Sequence, residues 1–261
     1  MRIGILSKRT THLTAKMKNY YEKKGFKVKV YTKERLRIDD SLLKHDFFIL
    51  KSKQLIFLYA GYFLEANNVL VVPNTEISYK CKNRVEASFL LEELDFNIPH
   101  IFLGTFETLK TNLNGLFPLV SKQIVGSGSK DVKLIKKISD LEENQLKVFY
   151  LEKYILGTHY LVYFIDNEIC VCKKKPMVNE HAPVEVIETP NDIEEIIFKW
   201  KDKHNLLFGH LDMIRESSSN KLYVVDPGTF PEFSNWHGNY DPVSKICDMI
   251  IESYEISESR D

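Results

Sequence analysis

The sequence predicts a chain of two folding styles, a short parallel α/β unit followed by an α+β region. Three observations lead there. Apolar runs alternate with helical patterns as far as Val72, the later strand-like runs read as antiparallel hairpins, and Pro73-Asn74 forms a turn between the two regions. The 261 residues include 44% hydrophobic residues, and 36 Lys+Arg balance 36 Asp+Glu. That composition excludes a disordered or fibrous chain, and the length suits one large domain or two lobes with a cleft between them.

The elements follow in order. Arg2–Leu6 is an apolar run of strand length, Thr11–Lys24 places Leu13, Met17 and Tyr21 on one helical face, and Lys27–Tyr31 alternates as a strand. The alternation repeats through Phe47–Leu50, a helix over Leu58–Glu65 and a run at Val69–Val72. Cys81–Asp95 reads as one helix, stopped by Asn97-Ile98-Pro99, with strand-like His100–Leu103 after it. The next region holds a helix at Phe106–Asn112 and strands at Leu116–Lys122, Val132–Ile135 and Val148–Glu152. Beyond it, Tyr160–Ile165 and Glu168–Cys172 form a hairpin around Asp166-Asn167, and Ile193–His204 is helical. Phe208–Arg215 and Leu222–Asp226 form a second strand pair, and Val243–Ser253 is an amphipathic helix.

Zero formal net charge gives no footprint for nucleic acid or an anionic membrane, although Lys173, Lys174 and Lys175 make a local basic run. No stretch approaches about 20 apolar residues, so no membrane span is expected. The start MRIGILSKRT lacks the apolar length of a signal peptide. Cys81, Cys170, Cys172 and Cys247 contain no CxxC spacing and read as reduced thiols of a cytoplasmic protein.

Three constellations could carry chemistry. The loop Gly126-Ser127-Gly128-Ser129 lets the backbone approach phosphate oxygens, and Lys122 stands four residues ahead of it; the same loop reads equally as a hairpin turn. It is neither a Walker loop nor a dinucleotide fingerprint. Asp212 and Asp226 sit in apolar strand patterns that a hairpin would bring together, as hard oxygen ligands suited to Mg²⁺, or else as turn-capping residues. Asp226-Pro227-Gly228-Thr229-Phe230-Pro231-Glu232-Phe233 is a rigid loop directly after a carboxylate, and its other reading is a plain connection. His159, His181, His210 and His237 lack a metal spacing and read as surface or structural residues.

Taken in order, Asn83-Arg84, Phe117–Lys122 with Gly126–Ser129, Glu152-Lys153-Tyr154-Ile155 and Asp212…Asp226 resemble the motifs of the ATP-grasp superfamily over roughly residues 1–240. The resemblance implies a pre-ATP-grasp α/β domain at 1–78 and an ATP-grasp domain at 79–261, with a small lobe at about 106–153 and a large lobe at about 154–261. It makes Arg84 and Lys122 phosphate ligands, Gly126, Ser127, Gly128 and Ser129 a lid, and Glu152, Lys153, Tyr154 and Ile155 a hinge that holds adenine by backbone groups. Asp212 and Asp226 then hold Mg²⁺, and Lys122 and Lys175 are the catalytic lysines. The cofactors implied are ATP and Mg²⁺.

Two branches share these features. The RimK-like amino-acid ligases have the short N-terminal domain and the Gly/Ser-rich lid. The inositol tris/tetrakisphosphate kinases have Asn83-Arg84, the Lys175-Pro176 step and Phe230-Pro231. The chain departs from the pattern at three places. Gly228 stands where both branches carry a third metal ligand, an asparagine; Leu161 stands where the ligases carry an arginine; and Ser129-Lys130-Asp131 lacks the kinase histidine. Glu232 and Asn235 are close enough in sequence for one of them to substitute for the missing ligand, or else they belong to a solvated loop.

The expected activity is an ATP-dependent carboxylate–amine ligase acting through an acyl phosphate on a small-molecule carboxylate and an amine. An inositol-phosphate kinase, or an ATP-binding protein with degenerate catalysis, is the alternative. The oligomeric state stays open. Lys122→Ala is expected to weaken ATP binding and leave the fold intact, because a strand-end lysine aimed into a cleft neutralises phosphate more than it packs.

Overall fold

The apolar runs of the N-terminal part assemble into a parallel sheet covered by helices, which explains why they lack polar alternation. The computed structural model describes residues 1–126, 132–141, 147–176 and 183–259. Strands β1 (Arg2–Leu6), β2 (Lys27–Tyr31), β3 (Phe47–Leu50) and β4 (Leu70–Val72) pair in parallel in the order β2-β1-β3-β4. Helix α1 (His12–Lys23) links β1 to β2, capped by the Thr11 side chain, which accepts from the Thr14 amide. Helix α2 (Leu55–Ala66) links β3 to β4.

The helix expected over Cys81–Asp95 is α4 (Arg84–Glu92), and a short helix that the sequence reading did not place, α3 (Thr75–Lys80), precedes it. Asn83 sets the start of α4: its side chain accepts from the Val85 amide and caps the helix, so Arg84 becomes a first-turn residue.

Two antiparallel sheets follow. In the smaller, β5 (Ile101–Thr105), β6 (Leu119–Lys122), β7 (Lys133–Ile135) and β8 (Val148–Lys153) take the order β5-β8-β6-β7, with α5 (Phe106–Lys110) packed beside β5. This sheet begins at Ile101, ahead of the boundary expected at about 106. The larger contains β9 (Gly157–Ile165), β10 (Glu168–Lys174), β11 (Glu185–Ile187), β12 (Phe208–Glu216) and β13 (Leu222–Gly228), in the order β11-β10-β9-β12-β13. The short β11 carries no apolar pattern that announces it. Helices α6 (Asn191–Lys203) and α7 (Pro242–Glu258) complete the fold.

The large sheet is buried on both faces. Trp200 of α6 packs with Val162, Phe164, Leu211, Met213 and Val224 on one face. Tyr163, Ile165, Cys170 and Cys172 face the other way, into a core shared with α7 and with Ile3, Ile5, Met17, Tyr21 and Phe47 of the N-terminal unit. At about 1.5–3 kcal/mol for each large apolar side chain fully removed from water, this shared core holds the N-terminal unit against the large sheet. Polar contacts fix the docking angle: the Tyr20 hydroxyl donates to Asp248 at 2.7 Å, and the Tyr21 hydroxyl donates to the Cys247 carbonyl at 3.3 Å. The four cysteines are free and buried.

Candidate active site

Alternation along the strands decides which side chains meet. In the β12–β13 pair Asp212 stands directly opposite Asp226, and His210 opposite Gly228. All four positions therefore share one face of the large sheet. Two carboxylates placed opposite each other repel, and cations approach from both sides. Lys174, two residues beyond Cys172 on the same side of β10, bonds to Asp212 at 2.8 Å. Arg84 lies 4.0 Å from Asp226.

Lys175 is exposed just past the end of β10, and it is Lys174 that pairs with Asp212. The alternation Cys170, Cys172, Lys174 was the signal. Lys174 also supplies a cation near Leu161, whose register partner across the strands is Asp212.

The second wall comes from the small sheet. Lys122 ends β6, and its ammonium pairs with Glu152 of β8 at 2.6 Å; the two side chains are only 10% and 6% exposed. The same ammonium lies 3.4 Å from the Val225 carbonyl and so reaches across to the large sheet. Burial and the Glu152 carboxylate push the Tyr150 hydroxyl well above its ordinary pKa. Glu152 is thus the partner of Lys122. Lys153 is exposed, Tyr154 half-buried and Ile155 buried in the segment that leads from the small sheet to the large one. The Lys153 amide donates to the His100 carbonyl at 2.8 Å, and the Tyr154 amide to that of Pro118 at 3.3 Å, so neither is open to a base edge.

Arg84 roots the Gly/Ser loop. Its amide donates to the Ile124 carbonyl at 2.8 Å, its guanidinium donates to the Gln123 carbonyl, and the Gly126 amide donates to the Lys82 carbonyl at 3.3 Å. A Cβ on Gly126 would stand 3.1 Å from the Arg84 guanidinium. Ser127, Gly128 and Ser129 lie outside the described residues, as does His181. The Arg84 side chain is buried, and its Nε has no hydrogen-bond partner among the described residues. A buried guanidinium with a donor to spare beside a carboxylate pair is a group prepared for an anion.

The departure at Gly228 has a steric cause. A Cβ there would stand 1.9 Å from Cε1 of His210, so the imidazole fills the space a side chain would need. Burial, with Lys53 as the leading charge, pulls the His210 pKa down to about 3 and keeps the ring neutral. Among the described residues no hydrogen bond joins either substitute ligand to the aspartates. Glu232 pairs with Lys51 at 2.9 Å, and the Asn235 carbonyl takes contacts from the thiols of Cys170 and Cys172 at 3.7 and 3.5 Å.

Among the described residues no group of three or more His, Cys, Asp or Glu forms a metal cage. Two partly exposed carboxylates on one face, with side-chain exposures of 23% and 34% for Asp212 and Asp226, fit Mg²⁺ of the kind that takes its remaining ligands from water and phosphate.

No protein-family model and no curated protein matches the chain by sequence. Solved structures match it over nearly its whole length. A RimK-domain ATP-grasp protein from Sphaerobacter thermophilus is 11% identical, with a TM-score of 0.79 over 95% of this chain and 98% of its own. D-alanine–D-alanine ligase from Bacillus anthracis, complexed with ATP, is 20% identical, with a TM-score of 0.73 over 100% and 99%. The ATP-grasp ligase PsnB, complexed with a minimal precursor, Mg and ADP, is 12% identical, with a TM-score of 0.70 over 97% and 98%. With a parallel N-terminal sheet leading into two antiparallel sheets that approach each other where Lys122 meets the Val225 carbonyl, the chain has the ATP-grasp fold.

Proposed function

We propose that this protein is an ATP-dependent carboxylate–amine ligase that works through an acyl phosphate. The observation that carries the reading is that Arg84 reaches Asp226 and Lys174 reaches Asp212, the two paired carboxylates, while Lys122 of the small sheet reaches the Val225 carbonyl beside Asp226. Structures that share its fold are those of ligases with ATP, or with Mg and ADP.

In this reading Lys122 and Arg84 bind the nucleotide's phosphates and offset the charge that develops as the γ-phosphoryl group moves. Asp212 and Asp226 would hold Mg²⁺, which would neutralise further phosphate charge. A substrate carboxylate oxygen attacks the γ-phosphorus, and the bond to the β-phosphate oxygen breaks, releasing ADP. The amine nitrogen then attacks the acyl carbon, inorganic phosphate leaves with the former carboxylate oxygen, and the nitrogen gives up a proton. Lys174 holds Asp212 in place, and the Gly126–Ser129 loop rooted by Arg84 excludes water from the acyl phosphate.

The test is ADP release from purified protein with a panel of acids and amines. Release that needs both an acid and an amine supports the ligase. Release with an inositol phosphate and no amine assigns kinase chemistry, and ATP binding without release assigns a nucleotide-binding protein.

A further inference from the structure

Val171 of β10 faces the core under α6, whereas its neighbours Cys170 and Cys172 face the opposite way, into the core shared with α7. A Cys-x-Cys sequence in an extended strand sets two thiols side by side on one face. Their sulfurs stand 4.0 Å apart, and the two residues are 5% and 0% exposed. The ligase reading makes no use of them. Cys172 shares its sheet face with the paired carboxylates, being in register with Leu161 and Leu161 with Asp212, but the apolar Leu161 stands between.

The segment after β13 closes over the pair. Its Asn235 carbonyl faces both sulfurs, at 3.7 Å from Cys170 and 3.5 Å from Cys172, and the Nδ1 of His237 donates to the same carbonyl at 2.9 Å. Phe233 and Trp236 of this segment belong to the same apolar cluster as the two cysteines and keep bulk water away from the sulfurs. His237 itself is exposed, so the cover over the thiols is a single loop thick.

The pair differs chemically from the other two cysteines. Burial pushes the thiols of Cys81 and Cys247 up to about 12 and keeps them protonated. The hydrogen bond from Cys172, and after it the amide and ring of His237, lower the Cys170 pKa to about 6, while Cys172 is raised. A thiolate with a second thiol beside it is a ready ligand pair for a soft metal ion.

The geometry selects the ion. Two thiolates 4.0 Å apart, each about 2.3 Å from one metal, subtend an angle of about 120° there, as two ligands of a three-coordinate ion do. Structural Zn²⁺ takes four protein ligands, and among the described residues no third His, Cys, Asp or Glu joins the pair in a cage. Cu(I) is soft and is satisfied by two sulfurs with at most one ligand from solvent. The Mg²⁺ assigned to Asp212 and Asp226 is a hard ion and does not compete for sulfur.

We propose that Cys170 and Cys172 form a binding site for Cu(I), held by both sulfurs beneath the loop of Asn235 and His237. As the ion binds, the remaining thiol proton passes to solvent, and the Asn235 carbonyl gives up its two sulfur contacts. The site goes beyond the ligase reading and stands or falls without it.

The test titrates the whole reduced protein, without oxygen, with Cu(I) in competition with the coloured chelator bicinchoninate. Wild type should withdraw a single equivalent of Cu(I). Cys170→Ser and Cys172→Ser should each lower the affinity by more than the roughly hundredfold that changes outside a ligand set produce, whereas Cys81→Ser and Cys247→Ser should keep it. A cooperative melt shows that each serine variant is folded. X-ray absorption at the copper edge of the wild-type complex needs no variant, and it should show two sulfur neighbours at about 2.3 Å. Cu(I) left with the chelator, a copper spectrum of nitrogen and oxygen neighbours alone, or undiminished affinity in the two β10 variants overturns the proposal. Zn²⁺ that displaces the bound Cu(I) overturns the choice of ion.

Discussion

Replacing Lys122 with methionine keeps most of the side-chain stem and removes the ammonium. Glu152, whose side chain is 6% exposed, then loses its partner at 2.6 Å. Breaking a buried ion pair from one side costs about 3–5 kcal/mol, because the remaining charge is left without compensation. The Tyr150 hydroxyl also bonds to Glu152 and holds the loss towards the lower end. At about 2–4 °C per kcal/mol for a chain of this size, the melting temperature should fall by about 6–20 °C. This corrects the expectation, drawn from a strand-end lysine in a cleft, that removing it leaves the fold untouched. The double variant Lys122→Met/Glu152→Gln separates the two roles. It should recover at least half of the lost stability, since no buried charge remains, and it should still bind ATP weakly. Thermal melting beside ATP titration measures both. A Lys122→Met protein that melts within about 2 °C of wild type, or a double variant with wild-type ATP affinity, would refute the reasoning.

Other outcomes follow from the same geometry. Gly228→Asn should cost about 1–3 kcal/mol without raising Mg²⁺ affinity, because its Cβ meets the His210 ring; adding His210→Ala should restore stability in a melt. Asp226→Asn should shift the Mg²⁺ dependence of ATP binding to higher metal concentration, and an unchanged Mg²⁺ titration would remove the metal assignment. His159 is held at a pKa of about 4, against 6.5 ordinarily, by burial and the nearby charge of Lys174. The unfolded chain therefore binds more protons across that interval, stability falls as pH drops through it, and His159→Phe should flatten that limb in denaturant titrations at a series of pH values.

Much of the architecture was legible because strand and helix periods are local properties. The apolar runs at Phe47–Leu50 and Val69–Val72, the helical face of Leu13, Met17 and Tyr21, and the hairpin at Asp166-Asn167 each depend on neighbours in sequence, and they appear where their patterns placed them. The start of α4 at Arg84, three residues after the expected Cys81, was legible in principle, since Asn83 is a preferred cap, whereas the six residues of α3 are too few for a helical period to stand out. The strand β11 pairs only with β10, and nothing in Glu185–Ile187 itself requires it.

The sequence by itself determined that the chain folds as a parallel unit followed by antiparallel sheets, and that Asp212 and Asp226 belong to neighbouring strands of one pair. Tertiary structure alone decided which charges meet. Glu152 became the partner of Lys122, Lys174 that of Asp212, Glu232 went to Lys51, and His210 filled the space left at Gly228. The physical reason is distance along the chain. Periodicity fixes the face on which a side chain stands, whereas an ion pair or a filled void depends on strand register and on the docking of separate elements, which the packing of the whole molecule sets.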